Sequence, residues 1–210
     1  MEPVPPLKLP QLFTIGYDHW DFADFVDCLR DHGVTALADV RSHPYSRRFP
    51  QFCQGSLQET LPLAGLAYGF LGQQLGARSP DPACYDGGKA QYSRIAATDP
   101  FAQGLARLQQ GLQRHTIVLM CAEQDPITCH RAILICRSLR HWPIAIHHIL
   151  KDGSLESQSA LETRLLHLHA PPAAAQLSLF DPPQPSGSRE ECLERAYACQ
   201  GDRIAYRVST

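Results

Sequence analysis

The chain has no apolar run long enough to span a membrane, no large excess of charge of either sign and no internal repeat, and each lack narrows what it can be. A membrane helix needs about 20 consecutive apolar residues, so no membrane partner is expected. The opening Met-Glu-Pro-Val-Pro-Pro has neither the basic nor the apolar region of an export signal, and a cytoplasmic location follows as the expectation. A formal net charge of −2 supplies no global basic field, so any contact with nucleic acid must come from a local patch. Regular cysteine spacing is missing as well. The eight cysteines, at 28, 53, 84, 121, 129, 136, 192 and 199, do not read as a disulfide framework in a chain of 210 residues, and reduced thiols are expected.

What is present suits one packed domain with a tail: 44% of the residues are hydrophobic and 19% charged. Residues 11–169 alternate short β-rich runs with amphipathic stretches, which predicts an α/β domain in three layers, a mostly parallel sheet flanked by helices. Strands are predicted at 12–15, 36–40, 67–71, 116–120 and 145–149, and helices at 21–32, 101–112, 131–141 and 155–168. Residues 170–187 form a Pro-rich linker. Residues 188–210 read as a helix followed by a short strand at 204–208, a segment that either packs on the core or folds with a partner.

Open parallel sheets bind ligands beyond the carboxyl ends of their strands, and two of those positions are rich in chemistry. After the second strand stands Asp39-Val40-Arg41-Ser42-His43-Pro44-Tyr45-Ser46-Arg47-Arg48. After the fourth stands Cys121-Ala122-Glu123-Gln124-Asp125-Pro126-Ile127-Thr128-Cys129-His130-Arg131. With Thr14-Ile15-Gly16-Tyr17, these blocks resemble the family catalogued as domain of unknown function 488, over residues 12–150. The resemblance implies a fold and no settled reaction.

The residues therefore carry the functional reading. Thr128 is placed to cap a helix opening with Cys129, His130 and Arg131, where free amides favour an anion and Arg131 and Arg41 would clamp it. The alternative for Arg131 is an ion pair to Asp39 or Glu123 that fixes the loop. Cys121 is either inert core or a nucleophile. Glu123 and Asp39 are the candidate catalytic carboxylates, acting on water or on an oxocarbenium-like centre, and for phosphodiester cleavage they would need magnesium or manganese. Cys121, Glu123, Cys129 and His130 are ligand types that suit zinc, and the run superficially resembles zinc-dependent nucleobase deaminases. Because no second Pro-Cys-x-x-Cys turn follows, no metal is assigned and no cofactor assumed. The layout is also similar to a rhodanese loop, but Arg131 lies ten residues after Cys121 rather than a few. His147 and His148 end the fifth strand, and one of them, His148, is placed to orient a substrate. Arg41, Arg47 and Arg48 with Tyr45 and Phe49 combine phosphate neutralisers with stacking faces, or form a solvated basic loop. Leu75-Gly76-Ala77-Arg78 and the segment 81–88 read as a long loop, a lid over the cleft or a plain connection.

The linker adds a partner. Gln176, Leu177, Ser178, Leu179 and Phe180 stand among Pro171, Pro172, Pro182, Pro183 and Pro185, where an extended, solvated backbone offers no core to three large apolar side chains. The run resembles the motif by which bacterial polymerases and repair proteins dock on the replicative sliding clamp, with Leu and Phe as anchors and Gln fixing register; the alternative is a strap on the protein's own surface. The expected function is thus a DNA-metabolism or repair enzyme recruited by the clamp, hydrolysing a nucleotide or DNA bond by base excision or end processing. Its rival is a non-enzymatic adaptor that senses a nucleotide or metal and occupies the clamp.

Overall fold

The computed structural model describes residues 9–170 and 187–208; the motif Gln176–Phe180 lies outside the described residues. Six strands form one sheet in the order β3 (Ala67–Phe70), β2 (Ala36–Asp39), β6 (Ile117–Cys121), β1 (Gln11–Gly16), β7 (Ala145–Ile149) and β8 (Leu155–Ser157). All pairings are parallel except β7 with β8. The central strands are apolar on both faces because both are covered. In β6, Val118 and Met120 point to one layer, with Phe25, Leu29, Phe52, Leu57 and Leu61, while Ile117, Leu119 and Cys121 point to the other. The first layer is α1 (Phe22–Asp31) and α2 (Gln54–Leu63). The second holds α3 (Gly72–Leu75), α4 (Tyr92–Ala96), α5 (Asp99–Leu112), a π-helical stretch Arg131–Cys136 that runs into α6 (Arg137–Leu139), α7 (Gln158–Leu168) and α8 (Arg189–Ile204). A two-residue hairpin pair, β4 (Tyr85–Asp86) and β5 (Lys89–Ala90), stands outside the sheet.

The expected three-layer α/β architecture is present, and its departures have local causes. The stretch predicted as a helix over 155–168 opens as β8, because Leu155, Glu156 and Ser157 pair antiparallel with β7; Ser157 then caps α7 by accepting from Ala160 N. The stretch predicted as a strand over 204–208 is instead the end of α8 and an extended tail, in which Arg207 makes only an isolated bridge to Lys89. The segment 81–88 is ordered as a 3-10 turn, Pro82–Cys84, and half of the β4–β5 hairpin rather than as a long loop.

The terminal segment packs on the core. A capping box of Ser188 and Glu191 starts α8, and Leu193, Ala196 and Tyr197 are buried against the second layer. Arg140 fastens it, reaching Glu162 at 3.4 Å, Glu190 at 2.6 Å and Glu194 at 2.7 Å. No described helix is long and apolar enough to cross a membrane. All eight cysteines are free thiols, as expected.

Register brings the two chemical blocks to one edge. Gly16 pairs with Cys121 and Asp39 with Met120, so β1, β2 and β6 end side by side. Gly16 is required there: a Cβ would stand 1.8 Å from the Glu123 carbonyl oxygen.

Candidate functional site

Asp39 closes β2 and is completely buried. Arg41 folds back on it, donating from Nε to Oδ1 at 2.9 Å and from Nη2 to Oδ2 at 2.6 Å, while the Arg41 amide donates to Oδ1 at 3.1 Å and Tyr68 Oη to Oδ2 at 3.0 Å. Both carboxylate oxygens are thus occupied. This corrects the expectation that Asp39 activates water: it has neither solvent nor a free lone pair aimed at a substrate, and it positions Arg41 instead. The guanidinium also donates to the Phe52 carbonyl at 2.8 Å and lies 4.9 Å from the centre of the Tyr17 ring. Its Nη1 is buried and has no partner among the described residues.

The floor comes from the loop after β6. Glu123 is exposed as a residue, yet its Oε2 turns inward and accepts from Cys121 Sγ and from Cys129 Sγ, each at 3.0 Å. His130 Nδ1 lies 3.6 Å from Cys121 Sγ and 3.8 Å from Cys129 Sγ. Its Nε2 is 3.0 Å from the Val40 carbonyl, which can only accept, so the ring proton sits on Nε2 and Nδ1 faces the sulfurs. Burial opposes ionisation of Cys129, but the hydrogen bond with Cys121 and the charge of Arg131 hold this thiol below its usual range. Cys121 is pushed up by its hydrogen bond with Cys129 and by burial. Burial, then the charge of Cys129, raises Glu123 above the ordinary carboxylate range.

Arg131 is fully buried beneath this loop. It donates to the carbonyls of Glu123 at 2.7 Å and Gln124 at 3.0 Å and to Thr14 Oγ1 at 3.3 Å. This corrects its expected role as an anion clamp: neither predicted ion pair forms, and the guanidinium is spent on holding loop carbonyls. Thr128 does not cap a helix either, since its hydroxyl donates to the Asp125 carbonyl at 2.9 Å and Asp125 caps the short turn Pro126–Thr128. Asp125 is fixed in turn by Arg164, whose two terminal nitrogens reach it at 2.8 Å.

Above the floor opens a cleft of about 450 Å³ walled by Tyr17, Arg41, His43, Tyr45, Arg78, Tyr92, Ile204 and Tyr206, with Cys121, Glu123, Thr128 and His130 below. Of the residues singled out in the sequence, Arg41, Tyr45, Cys121, Glu123 and His130 line this space, and Cys129 lies just behind it. Arg47 and Arg48 do not line it; both are exposed, and Arg48 stacks 5.1 Å from the Phe49 ring centre. His148 calls for a further correction: it is completely buried between Thr14 Oγ1 at 2.8 Å and Gln158 Oε1 at 3.0 Å, away from the cleft. Sequence reasoning missed Tyr92 and Tyr206, and placed Arg78 only within a candidate lid; its guanidinium lies 4.2 Å from the Tyr206 ring centre. No motif marks these three, because the fold of α8 brings Tyr206 in from the far end of the chain.

The family model described as Domain of unknown function DUF488 matches residues 21–137, more than half of the chain. No curated protein and no solved structure matches. The chain belongs to the DUF488 family.

Proposed function

We propose that this DUF488 member is a cytoplasmic hydrolase that cuts a bond in a nucleotide, at a damaged base or at a DNA end, and that the sliding clamp recruits it through Gln176–Phe180. The observation that carries the reading is Arg41 Nη1, a buried N–H donor without a hydrogen-bond partner among the described residues, on a residue that lines the cleft. Leaving such a donor unsatisfied costs about 1–3 kcal/mol, and a charged one more, so an anionic oxygen in the cleft recovers that loss. Phosphate is the anion that suits a planar donor held rigid by Asp39. Tyr45, 72% exposed at the rim, and Tyr206 backed by Arg78 offer ring faces to a base. Glu123 on the floor is the carboxylate within reach of such a ligand. Prolines around Gln176–Phe180 keep the ordering cost of docking small, which supports the clamp contact.

The test uses the full chain with free nucleotides and with labelled oligonucleotides carrying an abasic site, an altered base or a blocked end. Binding and product should both be seen for at least one of them. Arg41→Met should lower binding, and Glu123→Gln should abolish turnover while leaving binding in place. Absence of binding to every phosphate ligand would sink the proposal; binding without turnover would transfer it to the adaptor reading.

A further inference from the structure

We infer that Cys121, Cys129 and His130 hold a zinc ion beneath the cleft, with Glu123 closing the site on its solvent side. The three ligand atoms lie within 4.8 Å of one another. Zinc takes sulfur at about 2.3 Å and imidazole nitrogen at about 2.0–2.1 Å, and a tetrahedron with those radii has sulfur–nitrogen edges of about 3.6 Å. The two sulfur–nitrogen edges here are 3.6 and 3.8 Å, close to what such a tetrahedron needs. His130 is also oriented as a ligand must be. Its Nε2 is committed to the Val40 carbonyl, and that second contact leaves Nδ1 directed at the sulfurs, the arrangement that fixes the tautomer of metal-bound imidazoles.

The surroundings set the kind of site. Cys121 is the last residue of β6, and Cys129 and His130 leave a 3-10 turn whose loop is tied from below by Arg131, so the ligands are held by a rigid frame. Three protein ligands leave a fourth position, and Glu123, whose Oε2 is 3.0 Å from each sulfur, lines the cleft beside them. This is the layout of a catalytic zinc rather than a closed structural one. Water in the fourth position would give a proton to Glu123, and the hydroxide would add to an electrophilic carbon or phosphorus while the departing group takes that proton. The metal site goes beyond the phosphate reading of the cleft and does not depend on it.

Metal content is measured on the full chain by plasma mass spectrometry as purified and after chelation and reloading with zinc. One equivalent is expected. Cobalt added to the chelated protein should give a sulfur-to-cobalt charge-transfer band in the near ultraviolet, a readout that needs no variant and no substrate. Cys129→Ser and His130→Gln should lower zinc affinity by at least tenfold, and Glu123→Gln should keep the metal. Wild-type protein that takes up neither zinc nor cobalt would overturn the assignment, as would undiminished zinc in folded Cys129→Ser and His130→Gln. Because these readings are independent of turnover, they separate the metal from the choice of substrate.

Discussion

His148 gives the structure a pH-dependent weakness that can be measured directly. The ring is buried between Thr14 and Gln158, and burial, then the charge of Arg131, pushes its pKa down to about 3. In the unfolded chain a histidine titrates near 6.5. The unfolded state therefore takes up a proton first, and the stability tied to neutral His148 is full above pH 6.5 and lost as pH falls toward 3. Each pH unit in that window costs about 1.4 kcal/mol, so the whole window is worth about 5 kcal/mol and the step from pH 7.5 to pH 5 about 2 kcal/mol. The hydrogen bond with Gln158 opposes this shift, and the charges of Arg164 and His147 add to it. Urea unfolding at pH 7.5, 6 and 5 is compared for wild type and His148→Gln. An amide there can still bond Thr14 but has nothing to titrate. Wild type should lose about 2 kcal/mol more than the variant between pH 7.5 and pH 5. Equal slopes for the two proteins would refute the reasoning, since acid titration of the carboxylates is common to both.

Asp39→Asn should destabilise the fold by about 3–5 kcal/mol in denaturant melts, because it strands the buried Arg41 charge; a change below 1 kcal/mol would mean that Arg41 swings out to solvent. Leu193→Ala should cost about 2–5 kcal/mol through the cavity it leaves under α8, read as an earlier urea midpoint, and an unchanged midpoint would show that α8 is not part of the cooperative unit. Replacing Leu179 and Phe180 together by alanine should remove most binding to a bacterial sliding clamp by calorimetry, at about 2 kcal/mol or more per anchor, with the melting temperature unchanged. A fall in melting temperature with no clamp binding by wild type would identify the segment as a strap.

The sheet was legible because its strands carry apolar runs, and parallel strands covered on both faces show that pattern plainly, as in Ile117–Cys121. Helix α2 was not, since its apolar positions barely segregate and Pro62 interrupts it, yet Leu57 and Leu61 still bury on α1's side. The site divides along similar lines. That the Asp39–Arg41 and Cys121–Arg131 blocks meet follows from strand ends, which sequence can locate. What each charge does there follows from which partner it finds, and residue type alone cannot tell a substrate arginine from one that ties a loop. Arg41 and Arg131 both sit in the blocks, both are buried, and only Arg41 keeps a donor unspent.

The docking of α8 gives the domain a second fixed chain end next to the cleft. Helix α7 ends at Leu168 and α8, fastened by Arg140, begins at Arg189 on the same body, so the chain between them is held at both ends. Gln176 is six residues past Ala170 and Phe180 seven before Gly187. At no more than about 3.6 Å per residue, covalent reach alone keeps the run within roughly 25 Å of those two ends. A pull on it is shared by two anchors, and one of them, α8, leads directly into Tyr206 on the cleft wall.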